Sequence, residues 1–392
     1  MRATPGSLHP WLAHGVEHRF GPGAVPPDIA ATLAQARRGA AVGHLRRQAV
    51  LRRLLPALDA AGVTAVVLKG GALAYLSYPE PSLRSLSDLD HWVAPADLDR
   101  AVAIAQAAGL VYSLRLRDRS AADSAPHLAR TRVLECPRSG LVIEVHGAMG
   151  SLQAFSPAWI ERAWHRRERR ALGDIQAWVM HPEDMLTHLL IHGGRYDRFQ
   201  SGLRPLLDVT LWLRSDGARI EWPGLIGDWE RERAAIWALL PLRLAHDLLG
   251  APLDAEAARR IERSPGFEAL CETARRQVFG ASLTLPPTMN RLVSSTPRER
   301  AAWLLTRLTS WYWKGPPGSR RSAARVLGDA ARRMGHDIRY KTGPYLRGLL
   351  QGHYWGANFR RRRAVAVDRQ QLGLLVDRLE SSSRQEPSAG GQ

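Results

Sequence analysis

Val63-Thr64-Ala65-Val66-Val67-Leu68 runs directly into Lys69-Gly70-Gly71, and this junction decides the fold. The first six residues are a short, β-branched apolar run, the pattern of a buried strand. Residues 72–78 then read as a helix, broken by Pro79 and Pro81. Upstream, apolar positions recur at helical spacing over 28–61 until Gly62 stops them. Downstream, Leu86-Ser87-Asp88-Leu89-Asp90-His91-Trp92-Val93 reads as a second strand, and Pro95 opens a helix that runs to Gly109. Residues 131–135 and 141–146 read as two more strands joined by a turn at Pro137-Arg138-Ser139-Gly140. Beyond His146 strand signals largely vanish, and 157–171, 182–192, 203–214, 231–249, 254–263 and 298–312 are helical by period.

These patterns predict an α/β (α+β) unit with a small mixed sheet, followed by a mostly α-helical C-terminal region. The expected divisions are a poorly ordered lead-in over 1–27, the α/β unit with its N-terminal helix over 28–150, and a helical domain over 151–290. A basic helical region over 291–382 and a disordered polar tail over 383–392 complete the chain.

Three features of the α/β unit converge on phosphate chemistry. Glycines where a strand meets a helix let the backbone approach a phosphate, and the free N–H groups of the helix start attract its charge. Asp88 and Asp90 lie two apart on a strand, so both carboxylates face one side while Leu89 and His91 face the other. Close carboxylates repel unless a hard divalent cation such as Mg²⁺ neutralises them. Glu144, on the later strand Leu141-Val142-Ile143-Glu144-Val145-His146, could complete a three-carboxylate site for two metals, and Glu135 on the paired strand competes for that place. The residues alone reach two-metal phosphoryl chemistry on a triphosphate.

The set Leu68-Lys69-Gly70-Gly71-Ala72-Leu73, Arg84, Ser87-Asp88-Leu89-Asp90 and Glu144-Val145-His146 resembles the uncharacterised nucleotidyltransferase family, a branch of the DNA polymerase β-like nucleotidyltransferase superfamily. The resemblance is sharp over 60–150 and weaker over 180–215, where Pro182-Glu183-Asp184, His188, His192, Leu203 and Leu207-Asp208 are similar to the family's helical continuation. It implies a polymerase-β-like palm that transfers NMP from an NTP to a hydroxyl and releases pyrophosphate. Asp88, Asp90 and Glu144 would be the catalytic residues and the ligands of two Mg²⁺, with Glu144 helping to deprotonate the acceptor. Lys69, Gly70, Gly71, Arg84 and Ser87 would bind the nucleotide, and His192, Arg195 and Asp208 would stand on the acceptor side. The sequence departs from the superfamily pattern in two places. Sixteen residues separate Gly71 from Asp88, and His91 and Trp92 stand where aliphatic residues are usual.

Other readings stay open at single residues. Lys69 could simply cap a strand end, and Asp208 could be half of a buried helix-packing ion pair. His181, His188 and His192 share one helical face, and with His146 they could form a zinc set, though such histidines are more often core residues.

Composition narrows the field. At 392 residues, with 45% hydrophobic and 23% charged residues, the chain is neither disordered nor collagen-like. Two cysteines exclude a disulfide framework or a four-cysteine zinc site. The first residues lead into no signal-peptide run, and the apolar stretch 234–249 is interrupted by Arg243, His246 and Asp247, so no membrane span and a cytoplasmic location are expected. The net charge of +18 is concentrated in 291–370, which holds 18 Lys/Arg against 4 Asp/Glu. With Trp311-Tyr312-Trp313-Lys314 and the run Arg360 to Arg363, that segment could bind RNA or another polyanion; an arginine-rich solvated surface is the alternative. Three functions follow: NMP transfer to a small molecule, sugar or peptide natural product; an enzyme or binder acting on RNA; or a catalytically silent partner of the same fold.

Overall fold

The strand bearing Asp88 and Asp90 sits in the middle of the sheet. The computed structural model describes residues 8–21, 23–113, 131–152, 155–264 and 266–280, with Leu372 and Val376. The chain divides into two compact units, Met1–Val278 with Leu375–Gln392, and Phe279–Leu374. The basic segment 291–370 and the expected helix over 298–312 lie outside the described residues.

In the first unit, seven strands form one mixed sheet: β1 (Ala65–Val67), β2 (Asp88–Val93), β3 (Val111–Tyr112), β4 (Thr131–Glu135), β5 (Val142–His146), β6 (Glu168–Leu172) and β7 (Ile175–Val179), in the order β3-β4-β5-β2-β1-β7-β6. β2 pairs parallel with β5 and antiparallel with β1, and β1 pairs parallel with β7. Val66, Val67, Leu89, Ile143 and Val179 are essentially inaccessible, as expected of β-branched and leucine side chains on central strands.

Helices α1 (His9–Phe20) and α2 (Pro27–Ala60) pack together, and α2 lies against β1 and β7. Its buried Ala36, Ala40, Val50, Leu51, Leu54, Leu55 and Leu58 fall at the three- and four-residue spacing of one helical stripe. The helix at 9–20 is a difference from the expected lead-in. It arises where Pro10 starts a helical turn and Ala13 is small enough to be buried. Helix α3 (Lys69–Leu76) follows β1 directly, and α4 (Leu98–Ala107) contacts β5.

The helical continuation holds one correction. The helix expected over 157–171 ends early: α5 (Pro157–His165) is followed by β6 and β7, an antiparallel hairpin whose turn places Gly173 at φ 68°. β6 was hard to read because its sequence, Glu168-Arg169-Arg170-Ala171-Leu172, is charged. It is held by its ladder with β7 and the burial of Leu172, with ion pairs from Arg170 to Asp216 at 3.0 Å and from Glu168 to Arg219 at its charged side chains. α6 (Pro182–Ile191), α7 (Arg204–Asp216), α8 (Trp222–Arg231), α9 (Ala235–Leu249), α10 (Ala255–Glu262) and α11 (Phe267–Gly280) complete the unit. α9 packs against α6, α7 and α8; the helix expected over 231–249 begins only at Ala235, after a turn in which Arg233 takes φ 53°. No helix among the described residues is long and apolar enough to cross a membrane.

Candidate active site

The parallel pairing of β2 with β5 sets Asp90 directly opposite Glu144, and Asp88 opposite Val142. Cross-strand partners share a face, and successive residues alternate. Asp88, Asp90, Glu144 and His146 therefore line one face, where they open on a cleft of about 310 Å³. Leu89, His91, Ile143 and Val145 face the other way. Glu135 does not line the cleft; it accepts a hydrogen bond from Ser113 Oγ at 2.8 Å. His91 is buried with both ring nitrogens unpartnered, and Trp92 meets Trp164 edge-on, so neither of these residues lines the cleft, whereas Arg84, Leu86 and Ser87 of the long Gly71–Asp88 segment do.

The β1–α3 junction supplies the next wall. Lys69 takes φ 44°, a left-handed conformation uncommon for a residue with a Cβ, and its Nζ lies 3.3 Å from Asp90 Oδ2. Gly70 and Gly71 also line the cleft. A Cβ on Gly70 would sit 2.2 Å from Leu86 Cδ2 and 3.0 Å from an Arg84 guanidinium nitrogen, and one on Gly71 would sit 2.9 Å from Val67 Cγ1. Both glycines are thus closely packed, Gly70 against Leu86 and Arg84 of the segment that leads into β2, and Gly71 against Val67 of β1. Ser87 Oγ donates to Asp88 Oδ1 at 3.1 Å.

Arg84 and Asp208 both line the cleft, and they meet each other. Arg84 donates through Nε and a terminal nitrogen to the two Asp208 oxygens, each at 2.7 Å, and Tyr78 Oη donates to Asp208 Oδ1 at 2.7 Å. The pair is buried, with side chains 8% and 5% exposed. It ties the entry to β2 to α7. His192 lines the cleft one helical turn beyond His188, their rings 6.0 Å apart, whereas Arg195 is not part of the lining. At this point the helix widens: Asp197 N donates to His192 O at 2.7 Å, a five-residue step, and Gly194 lies so close to α9 that a Cβ would be 2.8 Å from Trp237 O.

Charge is unevenly balanced in the cleft. Burial and the neighbouring Asp90 push the Asp88 and Glu144 carboxyls up. Burial opposes ionisation of Asp90 too, but Lys69 and the His146 hydrogen bond outweigh it and hold that carboxyl well below the usual range. Burial also works against the Lys69 ammonium, yet Asp90 and Asp88 raise it. Burial keeps His188 neutral, pushed down to about 3, and depresses His192 as well, with the Lys69 charge adding to both. His146 Nε2 lies 2.8 Å from Asp90 Oδ1 and 3.6 Å from Glu144 Oε2, while its Nδ1 is 3.1 Å from Thr131 Oγ1.

Asp90, Glu144 and His146 offer ligand atoms that all lie within 4.8 Å of one another, the one such group among the described residues. Two carboxylates and an imidazole suit a hard or borderline divalent cation. The four-histidine zinc set does not assemble as such a group among those residues. His146 and Arg204, another cleft residue, carry signals that the sequence reading did not use. His146 follows Glu144 by two on a strand, so it must share its face, and Arg204-Pro205 after Gly202 marks a helix start pointed at the site.

A strand–Gly-Gly–helix junction beside three convergent carboxylates defines a class of phosphate-processing transferases. The chain belongs to the uncharacterised nucleotidyltransferase family, whose model matches residues 3–250, and is a transferase enzyme of that family. No curated protein matches it.

Proposed function

We propose that residues 28–150 form a polymerase-β-like palm, with 151–290 as its helical acceptor side, that transfers NMP from an NTP to a hydroxyl on a small molecule, sugar or peptide natural product. The observation that supports this best is the register of β2 on β5, which sets Glu144 beside Asp90 with Asp88 on the same face. In this reading Asp88, Asp90 and Glu144 hold two Mg²⁺, with His146 at the edge of the set. Bound divalent ions would neutralise the α-phosphate and stabilise the attacking and leaving oxygens.

The chain's own residues do the rest. Glu144 accepts the proton of the acceptor hydroxyl as its oxygen bonds to the α-phosphorus. The bond from the α-phosphorus to the bridging oxygen breaks, and the electron pair leaves with pyrophosphate. Lys69 moves from Asp90 to a phosphate oxygen, Gly70 and Gly71 present the helix start to the triphosphate, and Ser87 orients Asp88. His192 faces the acceptor.

The test is incubation of the full chain with Mg²⁺, a cell extract and each NTP labelled at the α-phosphate, with γ-labelled ATP in parallel. Label from the α position on a product, lost in Asp88→Asn, is the expected result. Transfer of γ-label alone would make the enzyme a phosphoryl transferase and refute the proposal.

A further inference from the structure

We propose that Arg204 builds a second anion subsite in the cleft, one that takes a phosphate-type group. It deepens the nucleotidyl-transfer reading and rests on it. Four cationic or imidazole groups of the cleft are spoken for or neutral: Lys69 pairs with Asp90, Arg84 with Asp208, and burial holds His188 and His192 uncharged. Arg204 is different. It lines the cleft, is half-buried, and makes no ion pair or side-chain hydrogen bond among the described residues. A guanidinium presents five N–H donors in a rigid fork, and withdrawing it from water without a partner is costly.

Two further observations point the same way. α7, thirteen residues long, begins at Arg204 with no side-chain cap on its first N–H groups, so its positive end adds to the guanidinium. On the adjoining helix His188 is 1% exposed, lines the same cleft, and has an Nδ1 without a partner. A buried, unsatisfied ring nitrogen is normally balanced by a ligand or water. The cleft thus has an acidic wall for metal ions, and facing it a helical wall whose uncompensated charge is positive. A bound anion would bridge the two.

That anion has two sources, the β,γ-phosphates of the NTP or an acidic group on the acceptor. Binding experiments on the full chain separate them without requiring turnover. The first arm titrates tripolyphosphate alone. The second titrates inorganic phosphate with the site saturated by an NTP analogue that cannot be cleaved between the α- and β-phosphates. Arg204→Met should weaken one of these about ten- to a hundredfold, the loss of one charge-assisted hydrogen bond. A loss with tripolyphosphate assigns the subsite to the nucleotide tail. A loss of phosphate binding on top of the analogue assigns it to the acceptor, which then carries an anionic group. Arg204→Lys, which keeps the charge and loses the fork, should fall between wild type and Met, and its unchanged melting temperature without ligand controls for folding. Unaltered binding of both probes in Arg204→Met and Arg204→Lys overturns the proposal. Failure of α-label transfer with Arg204-dependent binding intact would instead overturn the nucleotidyl reading alone.

Discussion

The Arg84–Asp208 pair can be tested as structure by a double-mutant cycle. Asp208→Leu removes an acceptor of three 2.7 Å hydrogen bonds, two from Arg84 and one from Tyr78, at side chains that are 5% and 8% exposed in the pair. Breaking a buried, bidentate pair from one side leaves an uncompensated charge, which costs about 3–5 kcal/mol. Asp208→Leu and Arg84→Met are each expected near ~4 kcal/mol. The double variant strands neither charge, so it is expected near ~5 kcal/mol, a coupling of roughly 3 kcal/mol. Urea unfolding followed by tryptophan fluorescence reads all four corners of the cycle. Single losses below about 1 kcal/mol, or strict additivity, would refute the reasoning and return both side chains to ligand binding.

Further outcomes follow from the same geometry. Gly70→Ala drives a methyl to 2.2 Å from Leu86 Cδ2, so it should cost about 2 kcal/mol in urea unfolding, and Leu86→Ala in the same chain should restore part of it. His188 has its pKa pushed down to about 3 in the folded chain, against about 6.5 when unfolded. The unfolded state therefore binds the proton first, and stability is full above pH ~6.5 and lost as pH falls toward 3. Between pH 6.5 and 5 the loss is about 2 kcal/mol, and His188→Gln should remove that slope from the melting profile. Asp88→Asn should abolish NMP transfer while leaving circular dichroism and the melting temperature close to wild type.

The strands that frame the cleft were legible because they obey simple periodicity. Val66 and Val67 are β-branched and buried, and Asp88 and Asp90 alternate with apolar neighbours, so the carboxylate face follows from a period of two. The register that sets Asp90 opposite Glu144 was not legible, because β2 and β5 lie far apart in sequence and parallel pairing has no turn to fix its register. β6 escaped because three of its five side chains are charged and ion-pair with Asp216, Arg219 and Asp59, so apolar spacing leaves no strand signal. The same holds for Arg84. Its position three residues before Ser87 fitted a phosphate clamp, but only the fold brings Asp208 within 2.7 Å of it, more than a hundred residues later in the chain. Arg204 is the converse case: the Pro205 that follows it marks a helix start, but only the fold shows that this start lines the cleft with no ion pair to Arg204 among the described residues.

Binding of divalent ions together with an NTP by the carboxylates of β2 and β5 can be measured without knowing the acceptor. Mn²⁺ would be titrated into the full chain with a non-cleavable NTP analogue and followed by electron paramagnetic resonance, in wild type, Asp90→Asn and Glu144→Gln. The account expects two bound ions in the wild type, with at least one lost in each variant while the fold is retained. Equal Mn²⁺ binding in all three proteins, or none in the wild type, would contradict it.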